Sequence, residues 1–485
     1  MAQGWIESRV GEVFQIIGGG TPSTQVQEYW DGMIPWITSA DILENHSIMP
    51  KRFISQLGVN DSATNIVPAN TLIVVTRVSL GKIGITEKPL CFSQDCQALI
   101  NLYDLNCKFA LYQLSVGVKG FLWSSRGTTI NGVTKKQLAD TKFLIAPLPE
   151  QHRIVAKIEE LFSELDKSVE NLRTAQQQLK VYRQAVLKWA FEGKLTEEWR
   201  TNQKKFTPTE DLVGYIRQEH SKEFQRLGKK SKMIQPLLPE VLITLPTIPA
   251  EWSWLKINDI TTGVEYGTSS KSSEVGTVPV IRMGNIQNSK IVWDDLVFTS
   301  DETEIGKYKL QKDDVLFNRT NSPELVGKTA IFLGERTAIF AGYLIRLNHI
   351  KTVIHAKYLN YYLNSFVAKS YGNSVKTDGV NQSNINGEKL INYPLPICSI
   401  EEQHQIVLAI ESRLSVCDKL EETISHSLKQ AEALRQSILQ QAFAGKLVPQ
   451  DPQDEPAAAL LARIRSDREA TAPAKKAKAT KGRKK

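Results

Sequence analysis

Two stretches of the chain place apolar residues at alternating steps of four and three, which is the spacing of a coiled-coil seam. The first stretch covers residues 150–195 and the second covers residues 402–447. The apolar seam positions are Ile158, Phe162, Leu165, Leu172, Leu179 and Val186 in the first stretch and Ile410, Leu414, Ile424, Leu428 and Ile438 in the second. Each stretch is predicted to form one long helix that stops at Gly193 or Gly445, because glycine tolerates the left-handed conformation that ends helices.

The two stretches are copies of each other. They align without gaps at an offset of 252, and 20 of the 46 positions are identical. A helix with one apolar stripe needs a partner, so we expect the copies to pack antiparallel about a pseudo-twofold axis. About 40 residues at about 1.5 Å each would span about 60 Å. A helical hairpin inside one core is the competing interpretation, and it is disfavoured because globular helices of this length are uncommon.

The regions between the long helices are predicted to be two mixed domains, which gives an α+β fold class. Short β-type runs at 70–78, 82–86 and 96–102 are separated by turn residues, and 108–118 favours a helix. The region 251–396 repeats the region 1–149 in a more diverged form. Trp252 matches Trp5, and GTSS at 267–270 matches GTPS at 20–23. PVIRMGNI at 279–286 occupies the position of PWITSADI at 35–42, and DDVLFNRT at 313–320 resembles NTLIVVTR at 70–77.

The predicted order along the chain is therefore domain, helix, connector, domain, helix and tail. The boundaries are 1–149 for the first domain, 150–195 for the first long helix, 196–250 for a connector with a short helix at 210–224, 251–396 for the second domain, 397–447 for the second long helix, and 448–485 for a short helix with a disordered basic tail.

Composition and charge fit a globular protein with at most a local site for nucleic acid. The chain is 41% hydrophobic and 23% charged. No apolar run reaches membrane-spanning length and the N-terminus lacks the pattern of a signal peptide, so we expect a cytoplasmic protein. The five cysteines form no C-x-x-C pair and are predicted to be reduced core thiols. Seven Lys or Arg in the last fifteen residues account for most of the net charge of +8, so a basic site must be a local patch.

Signatures of catalysis and of metal binding are missing. Gly327-Lys328-Thr329 resembles the end of a phosphate-binding loop, but Ser322 stands where the first glycine belongs. There is no H-E-x-x-H motif and no tetrapeptide of the amino-methyltransferase kind. His152 and His404 occupy equivalent helix starts, where capping or packing is expected. The sequence thus predicts a binding protein without a catalytic residue, a metal or a cofactor of its own.

Two diverged domains that alternate with two similar helices, each running from PLP and EQ to AF-x-GKL, resemble the specificity subunit of type I restriction-modification systems. The resemblance covers all but about the last fifteen residues. It implies that the two domains are target-recognition domains, that the helices set the distance between half-sites, and that they dock two modification subunits. Those partners use S-adenosylmethionine to methylate adenine, and restriction subunits can join the complex. The DNA target would be bipartite and asymmetric because the two domains differ.

Base readout needs side chains with paired donors and acceptors at a groove edge. The candidate DNA-binding residues are Thr38, Ser39, Arg77, Ser79, Lys82, Thr128 and Asn131 in the first domain and Arg282, Asn285, Arg319, Asn321, Lys376, Asn381 and Gln382 in the second. The competing interpretation of each is a solvated turn residue or a phosphate contact. Two other classes of function stay open on sequence alone, a coiled-coil scaffold that binds only protein and a DNA-acting enzyme without recognisable motifs.

Overall fold

The computed structural model describes residues 2–124, 132–203, 209–230 and 236–468, without the side chains of 118–124. The chain divides into two compact units. Unit 1 comprises residues 1–172 and 426–485, and unit 2 comprises residues 173–425. Across the described helices, none combines the length and the apolar character that a membrane span requires.

Unit 1 contains a two-stranded, a three-stranded and a four-stranded sheet, with orders β1-β9, β4-β3-β7 and β2-β8-β5-β6. Its strands are β1 Ile6–Arg9, β2 Phe14–Gly18, β3 Ile34–Ile37, β4 Arg52–Ile54, β5 Leu72–Val75, β6 Ile83–Ile85, β7 Cys91–Phe92, β8 Cys96–Asn101 and β9 Lys142–Ile145. The helices are α1 Val10–Val13, α2 Gln56–Asn60, α3 Cys107–Ser124, α4 Lys135–Ala139 and the first part of α5 Leu148–Phe191.

Unit 2 begins with the rest of α5 and continues through the connector into the second domain. The helices are α6 Glu197–Thr201, α7 Thr209–Arg226, α8 Pro239–Leu242, α9 Glu302–Tyr308, α10 Ala356–Leu363, α11 Phe366–Val375, α12 Gly387–Ile391 and α13 Ile400–Phe443, of which the last enters unit 1 at residue 426. The strands are β10 Ser253–Lys256, β11 Thr261–Tyr266, β12 Val278–Ile281, β13 Ile286–Gln287, β14 Lys290–Ile291, β15 Val297–Thr299, β16 Val315–Asn318, β17 Thr320–Asn321, β18 Thr329–Ile331, β19 Ile339–Phe340, β20 Leu344–His349, β21 Thr377–Asp378, β22 Ser383–Asn384 and β23 Pro394–Ile397.

The two domains share one topology, and the predicted α+β fold class is confirmed. The order β2-β8-β5-β6 in unit 1 recurs as β11-β20-β16-β18 in unit 2, and β4-β3-β7 recurs as β15-β12-β19. In the sheets β4-β3-β7 and β15-β12-β19 the central strand has one antiparallel and one parallel neighbour. The two-stranded sheet β1-β9 recurs as β10-β23, and unit 2 has one further small sheet with the order β17-β22-β21.

Both predicted long helices are present, and their seam residues avoid solvent. Ile158, Phe162, Val186, Ile410, Ile424 and Ile438 are buried, and Leu165, Leu172, Leu179, Leu414 and Leu428 are half-buried. Helix α5 carries Pro149 in its first turn, where a missing N–H costs nothing, and Ser399 accepts the N–H of Glu402 in the first turn of α13 at 3.2 Å. Gly193 and Gly445 follow the helix ends with positive φ angles of 72° and 68°, as the sequence predicts.

Within each unit the two helix segments run antiparallel. In unit 1, Arg153 near the start of α5 binds Asp454, which follows α13, at 2.7 Å, while Asp166 farther along α5 binds Arg435. The second ion pair has a repeat-equivalent counterpart in unit 2, where Arg183 Nη2 lies 2.6 Å from Asp418 Oδ1. The offset of 252 therefore relates contacts as well as residues.

Each long helix is fastened to its domain by a buried Glu-Gln pair in its first turns. Gln151 accepts the N–H of Asn106 at 3.0 Å, and Gln403 accepts the N–H of His355 at 2.8 Å. Both glutamine amides also donate to a carbonyl just before their helix, at 2.8 Å and 3.0 Å. The repeated EQ motif is thus explained by a structural role, because its glutamines hydrogen-bond buried backbone groups.

Candidate nucleic-acid interface

The ends of two strands meet at one turn in unit 1. Ser93 N donates to the carbonyl of Ile37, the last residue of β3, at 2.8 Å, and the carbonyl of Asp95 accepts the N–H of Thr76, which follows β5, at 2.9 Å. Residues 38–41, 76–79 and 93–95 form what we call the first edge. Four predicted DNA-binding residues lie on it, namely Thr38, Ser39, Arg77 and Ser79.

Unit 2 repeats this construction with the same backbone hydrogen bonds. Ala341 N donates to the carbonyl of Ile281 at the end of β12 at 2.9 Å, and the carbonyl of Tyr343 accepts the N–H of Arg319, which follows β16, at 3.0 Å. Residues 282–285, 318–321 and 341–343 form the second edge. It contains Arg282, Asn285, Arg319 and Asn321.

A glycine before each edge allows the chain to pass against a neighbouring strand. A Cβ at Gly19 would lie 2.2 Å from the carbonyl oxygen of Ser93, and a Cβ at Gly267 would lie 2.2 Å from that of Phe340. Gly19 and Gly267 are therefore structural equivalents. The sequence match of GTPS with GTSS pairs Gly20 with Gly267, so it is wrong by one residue. The shift arises at a bulge between Thr261 and Val264, where Gly263 has a φ of 126°.

The candidates of the first domain differ in how free their side chains are. Thr38 is committed to a local turn, since both its N–H and its hydroxyl donate to Asp41, at 2.7 Å and 2.9 Å. Ser39 is buried, and Lys82 Nζ donates to the carbonyl of Ile42 at 3.1 Å. Arg77 and Ser79 are exposed. Thr128 and Asn131 lie outside the described residues.

Arg282 and Asn285 maintain the geometry of the second edge. The side-chain oxygen of Asn285 accepts the N–H of Arg282 at 2.9 Å, and its amide donates to the carbonyls of Val292 and Asp294 at 3.2 Å and 2.8 Å. Arg282 in turn donates to the carbonyl of Asp295 at 2.8 Å. Asn285 is buried and its amide is fully used, so it stabilises the turn and offers nothing to a base.

The remaining candidates of the second domain gather around the sheet β17-β22-β21. Ile385 N donates to the carbonyl of Arg319 at 2.9 Å, which joins this sheet to the second edge. Asn381 and Gln382 are exposed at the tip of the hairpin between β21 and β22. Lys376 is held by the carbonyl of Pro323 at 3.3 Å, and Asn321 accepts the N–H of Ser322 at 2.8 Å. The structure therefore brings Arg319, Asn321, Lys376, Asn381 and Gln382 together.

Two residues in or beside the second edge were missed by the sequence analysis. Tyr266, the last residue of β11, lies under Arg319, whose guanidinium carbon is 4.9 Å from the ring centroid. Asn318, the last residue of β16, is completely buried, and neither polar atom of its amide has a hydrogen-bond partner among the described residues. A polar residue that closes an otherwise apolar strand, and an aromatic directly before a structural glycine, were the available signals.

The cysteines do not supply a reactive group. All five are free, and Cys91, Cys96, Cys398 and Cys417 are buried. Burial raises the pKa of Cys91 to about 11 and the pKa of Cys96 to about 12, so both thiols stay protonated at neutral pH. Within the described part of the chain, no group of three or more His, Cys, Asp or Glu side chains could hold a metal ion.

Comparison with known proteins places both repeats in one family. Residues 2–176 and 249–430 match the family model for the type I restriction modification DNA specificity domain. The chain is 29% identical over 361 residues to the type I restriction enzyme EcoKI specificity subunit of Escherichia coli, a match that covers 72% of this chain and 68% of that protein. It is 24% identical over 466 residues to the Escherichia coli EcoBI specificity subunit, and this match covers 93% of this chain and 87% of that protein.

A solved structure from a study of complex assembly and conformational transition of the type I R-M system has the same fold. Its TM-score with this chain is 0.66 at 17% sequence identity, and the match covers 92% of this chain and 99% of that chain.

Proposed function

The chain belongs to the family of type I restriction modification DNA specificity proteins, and we propose that its domains 1–149 and 251–396 each read one half of a bipartite, asymmetric DNA target. One observation supports this most directly. The same backbone hydrogen bonds build an equivalent edge in both domains, while the side chains on the two edges differ. Equivalent edges suit two half-sites, and unlike side chains suit half-sites of unlike sequence.

We also propose that the two long helices set the distance between the half-sites. The gapless repeat and the equivalent ion pairs Asp166–Arg435 and Arg183–Asp418 support a fixed register between the helices. A fixed register would hold each domain at a set position along the duplex.

The helices are further proposed to dock two modification subunits, and the complex could add restriction subunits. The support is a set of exposed apolar side chains on the helices of unit 2, namely Val181, Tyr182, Trp189, Leu408, Val416 and Leu420. Exposed apolar residues that cluster on one element are typical of protein contacts. S-adenosylmethionine would then be bound by the modification subunits, and this chain would contribute recognition without catalysis.

Mapping methylated adenines in cells that carry or lack this chain tests the proposal. We expect a two-part motif that is methylated only when the chain is present. Purified chain should transfer no methyl group from labelled S-adenosylmethionine until modification subunits are added. Transfer by the chain alone, or a methylome that does not change with the chain, would contradict the proposal.

The spacing role has its own test, an insertion of one heptad after Gln178 and one after Gln430. Both sites are repeat-equivalent, and a heptad keeps the apolar seam in phase. The helices would lengthen by about 10 Å, which corresponds to about three base pairs at 3.4 Å per step. The domains would also rotate around the duplex, so the gap could grow by fewer than three. A folded variant, judged by its melting curve, that methylates the same half-sites with an unchanged gap would refute the spacing role.

A further inference from the structure

We propose that the second edge contains a guanine-reading site, in which Arg319 contacts the major-groove edge of one guanine in the second half-site and Tyr266 positions the arginine. The proposal rests on the proposed function and adds a base identity to one half of the target.

The backbone of Arg319 is fixed on both sides. Its N–H donates to the carbonyl of Tyr343 at 3.0 Å, and its carbonyl accepts the N–H of Ile385 at 2.9 Å. These bonds tie the residue to the turn 341–343 and to the small sheet at the same time. The Cα of Arg319 therefore has little freedom to shift when DNA approaches.

The side chain of Arg319 is held against a ring that is itself held. The guanidinium carbon lies 4.9 Å from the centroid of Tyr266, and the hydroxyl of Tyr266 accepts the N–H of Gly387 at 2.8 Å. A Cβ at Gly387 would lie 3.0 Å from that hydroxyl and 2.7 Å from Val264 Cγ2, so the close approach requires glycine. Stacking on a fixed ring orients the planar guanidinium before a ligand arrives.

The donors of Arg319 are unused in the part of the chain that the structure describes. Its guanidinium makes no ion pair there, and its buried Nε has no hydrogen-bond partner. Two other arginines of this domain are engaged in ion pairs, since Arg346 binds Glu265 and Asp314 and Arg282 binds Asp295. No acceptor of the described residues occupies the terminal nitrogens of this half-exposed guanidinium, so they are available to a ligand that supplies acceptors.

The fork of an arginine matches the O6 and N7 acceptors of guanine in the major groove, whereas adenine offers one acceptor beside a donor. The first edge lacks this arrangement. Strand pairing aligns Tyr266 with Gly18, because Tyr266 pairs with Ile345 of β20 and Gly18 pairs with Gln97 of β8 at the equivalent position. The residue equivalent to Arg319 is Thr76, whose N–H makes the matching bond to Asp95. The first edge therefore has neither the arginine nor the ring at these two positions, and the guanine reader is particular to the second domain.

The test uses the complex of the full chain with its modification subunits and duplexes that carry the motif from the methylome. Each guanine of the second half-site is replaced in turn by 7-deazaguanine, which lacks the N7 acceptor, and by adenine paired with thymine. We expect one position at which the adenine replacement weakens wild-type binding by about 5- to 150-fold and 7-deazaguanine weakens it in the same direction. Arg319→Ala removes every donor of the side chain, so its binding should not respond to 7-deazaguanine at that position.

Tyr266 is tested as a positioning residue by a matched pair of variants. Tyr266→Phe keeps the ring and should discriminate as the wild type does, whereas Tyr266→Leu should lose discrimination at that one position only. Arg77→Ala is the matched control and should leave the second half-site unaffected. Melting curves identify variants that do not fold, and the 7-deazaguanine comparison on wild-type protein holds independently of them.

Three results would overturn the inference. The second half-site could contain no guanine on either strand, Arg319→Ala could stay as sensitive to 7-deazaguanine as the wild type, or Arg319→Ala could weaken all sequences equally, as the loss of a phosphate contact would. Tyr266→Leu with wild-type discrimination would remove the positioning role. A wild-type complex with no two-part motif would instead refute the proposed function itself.

Discussion

The two recognition domains share a backbone arrangement and differ in the side chains placed on it. Thr38 N donates to Asp41 at 2.7 Å in the first domain, and Arg282 N donates to Asn285 at 2.9 Å at the equivalent turn of the second. The bonds that join strand ends are made by backbone groups, so they do not depend on which residues stand there. A scaffold maintained in this way leaves the exposed positions of each edge free to diverge toward a different half-site.

A second contrast lies at the starts of the long helices. Glu402 is buried in unit 2, where it accepts hydrogen bonds from Arg200, from Thr196 at 2.8 Å and from the indole of Trp252 at 2.9 Å. The equivalent Glu150 in unit 1 is also buried, but Pro452 occupies the position that corresponds to Arg200. Among the residues that the structure describes, a cation binds the buried carboxylate of Glu402, and none binds that of Glu150.

Substituting Glu402 with Gln should have the largest effect of the changes considered. The amide keeps an acceptor for Trp252 but removes the charge beside Arg200, whose side chain is only 12% exposed. We expect the unfolding free energy to fall by about 3 kcal/mol, near the lower end for a broken buried pair because Glu251 lies 3.8 Å from Arg200. Chemical unfolding of the purified chain measures the loss. Glu150→Gln is the matched control, and equal losses in the two variants would contradict the contrast.

Replacing Asn318 with Val should have a smaller effect of the opposite sign. Strand pairing aligns Asn318 with Val75, since they pair with Leu344 and Cys96 at equivalent positions. A buried amide without partners is unfavourable, so the valine that serves the first domain should stabilise the second by about 1 kcal/mol. Thermal melts measure the gain, and the methylated motif should not change because Asn318 is completely buried.

Val75→Asn is the reciprocal variant and should destabilise unit 1 by about 1–3 kcal/mol. If Asn318→Val instead lowered the melting temperature, the amide would be hydrogen-bonded in solution. If it altered the second half-site, Asn318 would have to be added to the recognition residues.

The sequence predicts the parts of this molecule that follow from periodicity. The seam residues are spaced by helix geometry, and an apolar stripe has to be buried wherever the helix lies, so both helices and the duplicated plan could be inferred. Contacts between residues that are distant in sequence could not be inferred from it. Arg319 and Tyr266 are brought together by strand pairing, and nothing in either local sequence encodes that pairing. The bulge at Gly263 shifts the repeat by one residue, which an alignment of short motifs does not reveal.

In the candidate site too, some features follow from the local sequence and others depend on tertiary contacts. Several candidates chosen from the sequence follow apolar strands, and the structure places them at strand ends that meet at one turn. Their contact with DNA stays a prediction. Whether a side chain is free depends on its tertiary partners, so Asn285 could not be separated from Arg319 by residue type. The side chain of Asn285 makes three hydrogen bonds to the backbone of Arg282, Val292 and Asp294. The guanidinium of Arg319 stacks on Tyr266 and uses none of its donors among the described residues.

The smallest predicted effect concerns the pH dependence caused by Glu150. Burial raises the pKa of this carboxyl, and the nearby Trp5, Gln450 and Arg153 oppose the rise without cancelling it. Because the folded-state pKa lies above the unfolded value of about 4.3, the folded protein binds the proton more tightly. The associated stability is fully present below the unfolded pKa and is lost as the pH rises through the folded pKa.

Glu150→Gln cannot ionise, so relative to wild type it should become more stable between pH 4 and pH 8, by less than about 1 kcal/mol. Unfolding midpoints of both proteins at pH 4, 6 and 8 measure the difference, in which other titrating groups cancel. A difference that stays constant with pH, or that falls toward pH 8, would mean that the pKa of Glu150 is not raised in the folded protein and that the burial of this carboxyl has no consequence for the pH dependence of stability.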